Sequence, residues 1–278
     1  MHALCKVSER HQAMHDKLVQ SLKRSRKYRY CCEDTLTRLA EWATARHANP
    51  KKAEKAAKRK LHQVYAAYFE KVDLRRVERA LDLLPECTRP EAAQEVCLDV
   101  LRCHASTAER IPILSVAYAA IFDRTGTPQS VLDLACGFNP FALPWMGLPR
   151  DTRYVALDID SRLAAATNRF LSIWGQAGTA FCADVLLLPP QEAVDVALLL
   201  KTLPCLEQQE PDAAIRLLQH IRARHVVVSF PTRSLSGKAK GMSRQYDALM
   251  RTLLGQLGVS ATVLPHASET FYVFPGAP

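Results

Sequence analysis

Val131-Leu-Asp-Leu-Ala-Cys-Gly-Phe-Asn-Pro140 is a short apolar run that stops abruptly in small and turn-forming residues. Val131, Leu132 and Leu134 are strand formers with one acid, Asp133, set among them. Ala135, Cys136 and Gly137 then let a ligand approach the backbone closely, and Asn139-Pro140 turns the chain. The pattern predicts a buried strand that delivers a ligand loop. In a doubly wound sheet, an acid near the carboxyl end of a first strand, just before a Gly turn, is what a nucleotide-like ligand meets. A dinucleotide fingerprint uses several glycines so that backbone amides can cradle a pyrophosphate. Here Gly137 stands alone, which favours a phosphate-free nucleoside cofactor such as S-adenosylmethionine. Other α/β loops and a plain buried strand remain compatible with this stretch taken by itself.

Downstream of residue 130 strand and helix signals alternate, which predicts right-handed βαβ units around a mostly parallel sheet. The expected strands are 130–134, 154–157, 179–182, 194–200 and 225–230, with a closing antiparallel pair at 260–264 and 270–274. Asp158 closes the second strand 21 residues after Gly137, where a carboxylate can accept both ribose hydroxyls of an adenosine. Asp184 follows the third strand, placed to accept from an adenine amino group. Either acid would also serve as a helix cap. Lys201 follows the apolar fourth strand directly, at the sheet edge where ligands bind, and Pro204 and Glu207 shape the loop after it. The fifth strand runs into Ser229-Phe-Pro-Thr-Arg-Ser-Leu-Ser-Gly-Lys-Ala-Lys-Gly-Met242, a cationic loop suited to closing over a polyanion.

Upstream the chemistry changes. Residues 1–60 hold 16 Lys/Arg against 6 Asp/Glu, whereas 61–278 hold 21 against 22, so the net charge of +9 is an N-terminal property. Such asymmetry suits an acidic polymer, most simply nucleic acid, although a solvated helical surface has the same composition. Residues 8–48 are helix-prone. Lys23-Arg-Ser-Arg-Lys-Tyr-Arg-Tyr30 mixes cations with two tyrosines that serve either stacking on a nucleotide or ordinary packing. After Asn49-Pro50 a helix is expected with Leu61, Val64, Tyr65 and Tyr68 on one face, followed by helices over 73–84 and about 90–103. The expected organisation is a helical basic unit, 1–103, and an α/β unit, 104–278. At the junction, Ser106 or Thr107 with Glu109 resembles a capping arrangement. Arg110 is either part of that cap or a partner for the carboxylate of an amino-acid-like cofactor.

Nine cysteines form no C-x-x-C pair and several lie in apolar runs, so reduced thiols are expected rather than disulfides or a metal site. The first thirty residues carry charges throughout, and no window approaches the roughly 18 apolar residues of a membrane span. A soluble, cytoplasmic, monomeric protein without membrane contact is the expectation.

Four blocks together resemble the aminoglycoside-resistance 16S ribosomal RNA guanine-N7 methyltransferases of the Arm/Rmt/Sgm type. They are Cys103-His-Ala-Ser-Thr-Ala-Glu-Arg110, where the family has Leu in place of Cys103, Val131 to Pro140, Lys201-Thr-Leu-Pro-Cys-Leu-Glu207 and Ser229 to Met242. The resemblance is specific over about 100–278 and extends to 1–100 only in size, helicity and charge. It implies a class I Rossmann-like S-adenosylmethionine methyltransferase sheet with an added all-helical N-terminal domain that docks on the assembled 30S subunit, the target being a decoding A-site guanine. It also implies that His104, Arg110, Asp133, Ala135, Gly137, Asp158 and Asp184 hold S-adenosylmethionine, while Lys201, Glu207, Arg233 and Met242 face the 16S rRNA or the target base. Guanine N7 has a free lone pair and no proton, so methyl transfer needs orientation rather than a general base. The alternatives are a methyltransferase on another RNA, a non-catalytic RNA-binding or assembly protein, and a nicotinamide-dependent oxidoreductase, whose glycines are missing.

Overall fold

The computed structural model describes residues 2–66, 72–187, 192–232 and 242–277, the side chains of 2–10, 242 and 243 excepted. Seven strands form one sheet: β1 Ser130–Leu134, β2 Arg153–Asp158, β3 Gly178–Cys182, β4 Val194–Leu200, β5 Ala223–Pro231, β6 Thr262–Pro265 and β7 Glu269–Pro275. Their order is β3-β2-β1-β4-β5-β7-β6, and β7 runs antiparallel to both β5 and β6. Each expected strand is present to within two residues at either end. β1 lies between β2 and β4, with Asp133 in register with Ala156 and Leu198.

Both faces of the sheet are covered, which is why the strands read as unbroken apolar runs. Strand side chains alternate, so Val131 enters one cluster and Leu132 and Leu134 the other. On the first face lie α4 Leu74–Leu83, α5 Pro90–Leu101, α7 Leu114–Thr125 and α9 Ser161–Trp174, with the short α6 Ala105–Ala108 and α8 Leu143–Met146 between them. On the second lie α10 Leu203–Gln209, α11 Ala213–His220 and α12 Met242–Leu257. Phe141, Phe170 and Trp174 stack in series on the first face, with centroids 4.4 and 5.8 Å apart. Fully burying side chains of this size contributes about 1.5–3 kcal/mol each.

The first three helices, α1 His2–Arg24, α2 Glu33–Arg46 and α3 Pro50–Leu61, build a separate cluster around Leu22, Leu36, Leu39, Ala57, Leu61 and Tyr65. The helix-prone run 8–48 is thus broken at 25–32, where the chain turns through Cys31 and Cys32. Tyr28 is 5% exposed and its hydroxyl donates to the Lys58 carbonyl at 3.1 Å, so it packs rather than stacks on a ligand. Tyr30 lies between the guanidinium groups of Arg29 and Arg162, 4.8 and 4.3 Å from its centroid. Asn49 caps α3 through Lys52 N, and Leu61, Val64 and Tyr65 share the buried face as expected; Tyr68 lies outside the described residues. Helices α4 and α5 share the apolar cluster of the sheet, not that of α1–α3.

The eight cysteines with described side chains are all free thiols. Among the described residues, no helix is long and apolar enough to cross a membrane.

Candidate active site

Two neighbouring strands end in left-handed backbone. After β1, Ala135 and Gly137 both have φ 53°, and after β4 Lys201 has φ 59°. Such conformations cost a residue with a Cβ roughly 1–2 kcal/mol, and they collect where a fold must present its backbone to a ligand. Ala135 is exposed, and a Cβ placed on Gly137 would meet no atom within 4 Å, so the loop borders open space.

Asp158 sits beside that space. Its Oδ2 accepts from Gly137 N at 2.9 Å and its Oδ1 from Asp160 N at 3.0 Å, with the Ile159 amide also turned towards it, which leaves the carboxylate acceptor capacity to spare. A carboxylate with spare acceptor capacity at the end of β2 suits the adjacent hydroxyls of a ribose, so these residues fit an adenosine-bearing cofactor. Burial pushes the Asp158 carboxyl up to about 6, with the Gly137 and Asp160 amides opposing the rise. Ala183 N donates to the Asp158 carbonyl at 3.0 Å, which ties the end of β3 to the end of β2.

Asp184 follows in this row and is 2% exposed. Its Oδ1 accepts from Leu186 N at 3.0 Å, while Oδ2 receives Thr35 Oγ1 at 2.8 Å and Arg38 Nε and Nη2 at 3.0 and 2.9 Å. Both donors come from α2. The helical cluster therefore meets the sheet at its carboxyl edge, where Cys32 N also donates to Ile159 O at 2.7 Å and Tyr65 Oη to Asp160 Oδ2 at 2.6 Å.

Arg110 lies deeper, 1% exposed, and its three hydrogen bonds stay within the protein. Nε and Nη2 form a fork on Glu269 at 3.0 and 2.7 Å, and Nη1 donates to Asn139 Oδ1 at 2.7 Å. Asn139 Nδ2 passes the connection to Asp133 Oδ2 at 2.9 Å, which also accepts from the Tyr154 hydroxyl at 2.6 Å. Burial raises the Asp133 carboxyl to about 6. Burial would also raise Glu269, but Arg110 and Lys201 outweigh it and hold that carboxyl below its ordinary value. Lys201 Nζ donates to the Ser106 carbonyl at 3.1 Å and Glu109 Oε2 at 2.7 Å, and lies 3.5 Å from Glu269 Oε2.

His104 packs edge-on against Phe138, and burial with the nearby Lys201 and Arg110 charges pushes its imidazole down to about 4, so it is neutral at physiological pH. The expected cap at the junction is not formed as expected. His104 is the N-cap of α6 and makes no side-chain capping bond, Thr107 Oγ1 donates backward to the Leu101 and His104 carbonyls, and Glu109 pairs with Lys201.

The structure thus joins the expected residues in two groups: Gly137, Asp158 and Asp184 along β1, β2 and β3, and Arg110, Asp133 and Lys201 through Asn139 and Glu269. Glu207 stands apart. Its carboxylate caps α11, accepting from Ala214 N at 2.7 Å and Asp212 N at 3.3 Å. Arg233 lies outside the described residues, and Met242 opens α12 with its side chain outside them. Glu269, Asn139, Thr35 and Arg38 are hydrogen-bonded to these residues and were missed in the sequence. A lone acid opening an otherwise apolar last strand was the available signal for Glu269; nothing local marked Thr35 or Arg38.

Acidification provides a test of Asp158. A ribose needs the ionised carboxylate, so cofactor affinity is expected to be full above the folded value of about 6 and to fall as pH drops through it. Stability moves the other way. A carboxyl whose folded pKa exceeds its unfolded value of about 3.9 binds protons more readily in the native state, so its contribution improves as pH falls from the folded towards the unfolded value. Calorimetric titration across this range should show Asp158→Asn binding more weakly than the parent and with a flattened pH profile. An unchanged profile in the variant would remove Asp158 from the site.

Comparison with known proteins agrees with this geometry. Residues 24–272 match the family described as Ribosomal RNA methyltransferase (FmrO). The chain is 37% identical over 276 residues to a 16S rRNA (guanine(1405)-N(7))-methyltransferase of Frankia casuarinae, covering 96% of this chain and 95% of that protein. A protein of the same name from Micromonospora rosea is 36% identical over 261 residues, covering 93% and 95%. Among solved structures, the 16S rRNA methyltransferase RmtF in complex with S-adenosyl-L-homocysteine superposes with a TM-score of 0.80 at 32% identity, covering 97% of this chain and 99% of that one. The 16S rRNA methylase RmtB gives 0.78 at 31%, covering 94% and 98%. With a methyltransferase sheet, an open loop beside Asp158 and relatives matched over nearly their whole length, the chain belongs to the 16S rRNA (guanine-N7) methyltransferase family and is an S-adenosylmethionine-dependent enzyme.

Proposed function

We infer that this chain methylates N7 of the decoding-site guanine of 16S rRNA, the position printed as 1405 in the names of its relatives, within the assembled 30S subunit. It acts as a cytoplasmic monomer whose product confers aminoglycoside resistance. The observation that carries this is Asp158 with acceptor capacity to spare beside the open Gly137 loop, on a chain whose relatives are named for 16S rRNA. S-adenosylmethionine supplies a methyl group on a positively charged sulfur. Gly137, Asp158 and Asp184 hold its adenosine end, and Ala135 and Gly137 present backbone to it. The Arg110, Asn139 and Asp133 network fixes the loop after β1 from behind. No residue has to remove a proton, and His104, pushed down to about 4 by burial, is a poor base. Lys201, Glu207, Arg233 and Met242 are proposed to meet the RNA, Lys201 from the turn after β4 and Glu207 from α10, both held by their own hydrogen bonds.

The chain divides into a helical docking part, 1–103, and a methyltransferase part, 104–278, with α4 and α5 packed on the sheet as the link between them. The cations of 1–60 supply affinity for phosphate, so subunit binding is expected to weaken steeply with added salt.

Incubation of purified 30S subunits with labelled cofactor should place one methyl on N7 of that guanine, and naked 16S RNA should be a much poorer substrate. Cells expressing the chain should resist kanamycin and gentamicin, since the added methyl and positive charge oppose cationic drugs at that site. Unchanged susceptibility with confirmed expression would overturn this function, even if methyl transfer to some other RNA were found.

A further inference from the structure

Asp184 has an arrangement that the chemistry of an adenine site does not by itself require. One of its oxygens is saturated from outside the sheet: Oδ2 takes Thr35 Oγ1 and both Nε and Nη2 of Arg38, all from α2, while among the described residues Oδ1 takes only Leu186 N. With Oδ2 held by Arg38 and Thr35 and Oδ1 by the Leu186 amide, both ends of the carboxylate are tied and its plane is fixed, so the acceptor capacity left on Oδ1 points in a fixed direction. Arg38 is itself fixed from the far side, since Nη1 donates to Glu210 Oε1 at 2.8 Å and Nη2 to Gln209 Oε1 at 2.7 Å. Lys60 Nζ, from α3, adds bonds to the Gln208 and Gln209 carbonyls at 2.9 and 3.0 Å.

We propose that Arg38 is a positioning residue of the cofactor site, orienting Asp184 so that Oδ1 can accept from the adenine amino group. The helical part thereby sets cofactor affinity as well as docking. This rests on the placement of Asp184 in the cofactor site. Linkage makes the effect reciprocal: whatever holds α2 in place, including RNA bound to its cluster, tightens cofactor binding by the factor with which cofactor tightens the hold. An isolated charge on the surface of a docking helix would have no such consequence. Here the side chain is only 10% exposed and bonded to residues 146, 171 and 172 positions away.

The test is calorimetric titration of the full chain with S-adenosylmethionine. Asp184→Asn should weaken binding by roughly tenfold and Arg38→Ala by a similar factor, the loss expected for one oriented hydrogen bond to a charged group. The double variant should bind no worse than Asp184→Asn alone, because Arg38 acts through Asp184. Arg38→Lys should restore part of the loss. Glu210→Gln removes a charge facing Arg38 but keeps an acceptor for Nη1, and should weaken binding less than Arg38→Ala. Full affinity in Arg38→Ala, with Asp184→Asn impaired, would overturn the proposal and leave the site intact. Additive losses in the double variant would also overturn it, as they would show a structural effect alone. Full affinity in Asp184→Asn would instead remove Asp184 from the site. If Arg38→Ala does not fold, Thr35→Val removes a donor to the same oxygen, and a loss of roughly threefold that vanishes in the Asp184→Asn background is expected.

Discussion

Replacing Glu269 with alanine is expected to lower the free energy of unfolding by about 3–5 kcal/mol. The melting temperature should fall by something on the order of 10 °C. Glu269 is wholly buried and Arg110 is 1% exposed, so the guanidinium would keep its charge with no water to screen it and no carboxylate to face. Lys201, 3.5 Å from the same carboxylate, would lose a counter-charge too, keeping Glu109. Asp133 cannot take over directly, because Asn139 stands between it and Arg110. Glu269→Gln retains one acceptor for Arg110 and should cost less than the alanine. Replacing the pair together, Arg110→Met with Glu269→Leu, should recover much of the loss, since desolvating two charges offsets much of their attraction. Thermal melts of the variants decide it. A melting temperature within a degree or so of the parent for Glu269→Ala would show that the charge is not confined as described.

The second large effect concerns the helical part. The charge division of the sequence suggests that removing residues 1–60 would abolish docking and leave the cofactor site whole. The structure revises that expectation. Removing residues 1–60 takes away Thr35 and Arg38, which leaves Asp184 with only the Leu186 amide among the described residues, and a chain beginning at Val72 loses these too. It would also lack Tyr65, leaving Asp160 to Arg162 and the backbone amides of Arg162 and Leu163. Two carboxylates that are now buried would be opened to solvent, and the segment after β2 would lose its pairing with Tyr30 and Cys32. Methylation of subunits should disappear, and cofactor affinity should fall at least roughly tenfold as well. Undiminished cofactor binding by a folded truncated chain would show that the two parts are independent.

The strands were legible because both faces of a parallel sheet are dry. Val131–Leu134 and Val194–Leu200 are uniformly apolar, with single acids that stand out. Gly137, Asp158 and Asp184 were legible for a related reason, since strand ends in such folds converge on one edge whatever the loops do. What could not be read was where each polar group finds its partner. Arg110 meets Glu269 across 159 positions and Thr35 meets Asp184 across 149, and neither pairing leaves a periodic trace. For the same reason the capping pattern at 106–109 misled: Glu109 has a stronger attraction in Lys201, a cation that only the fold brings near. Glu207 likewise carries a charge that looks free in the sequence and is committed to the amide groups at the start of α11.

Strand β7 follows every other strand in the chain yet lies inside the sheet, between β5 and β6. Order along the chain and order across the sheet therefore differ, and β6 is made before the strand it pairs with. Arg110 is made long before its counter-charge exists, and until β7 slots in, water must remain around the guanidinium at what will become the driest point of the molecule. Closure of the sheet and expulsion of that water become one event, and it comes late. Pairings this distant along the chain are slow to form. In refolding followed by hydrogen exchange, the amides shared by β5 and β7 should gain protection after those of β1 and β2. A chain cut short before residue 269 should stay hydrated at its centre, open to proteases and unable to melt cooperatively.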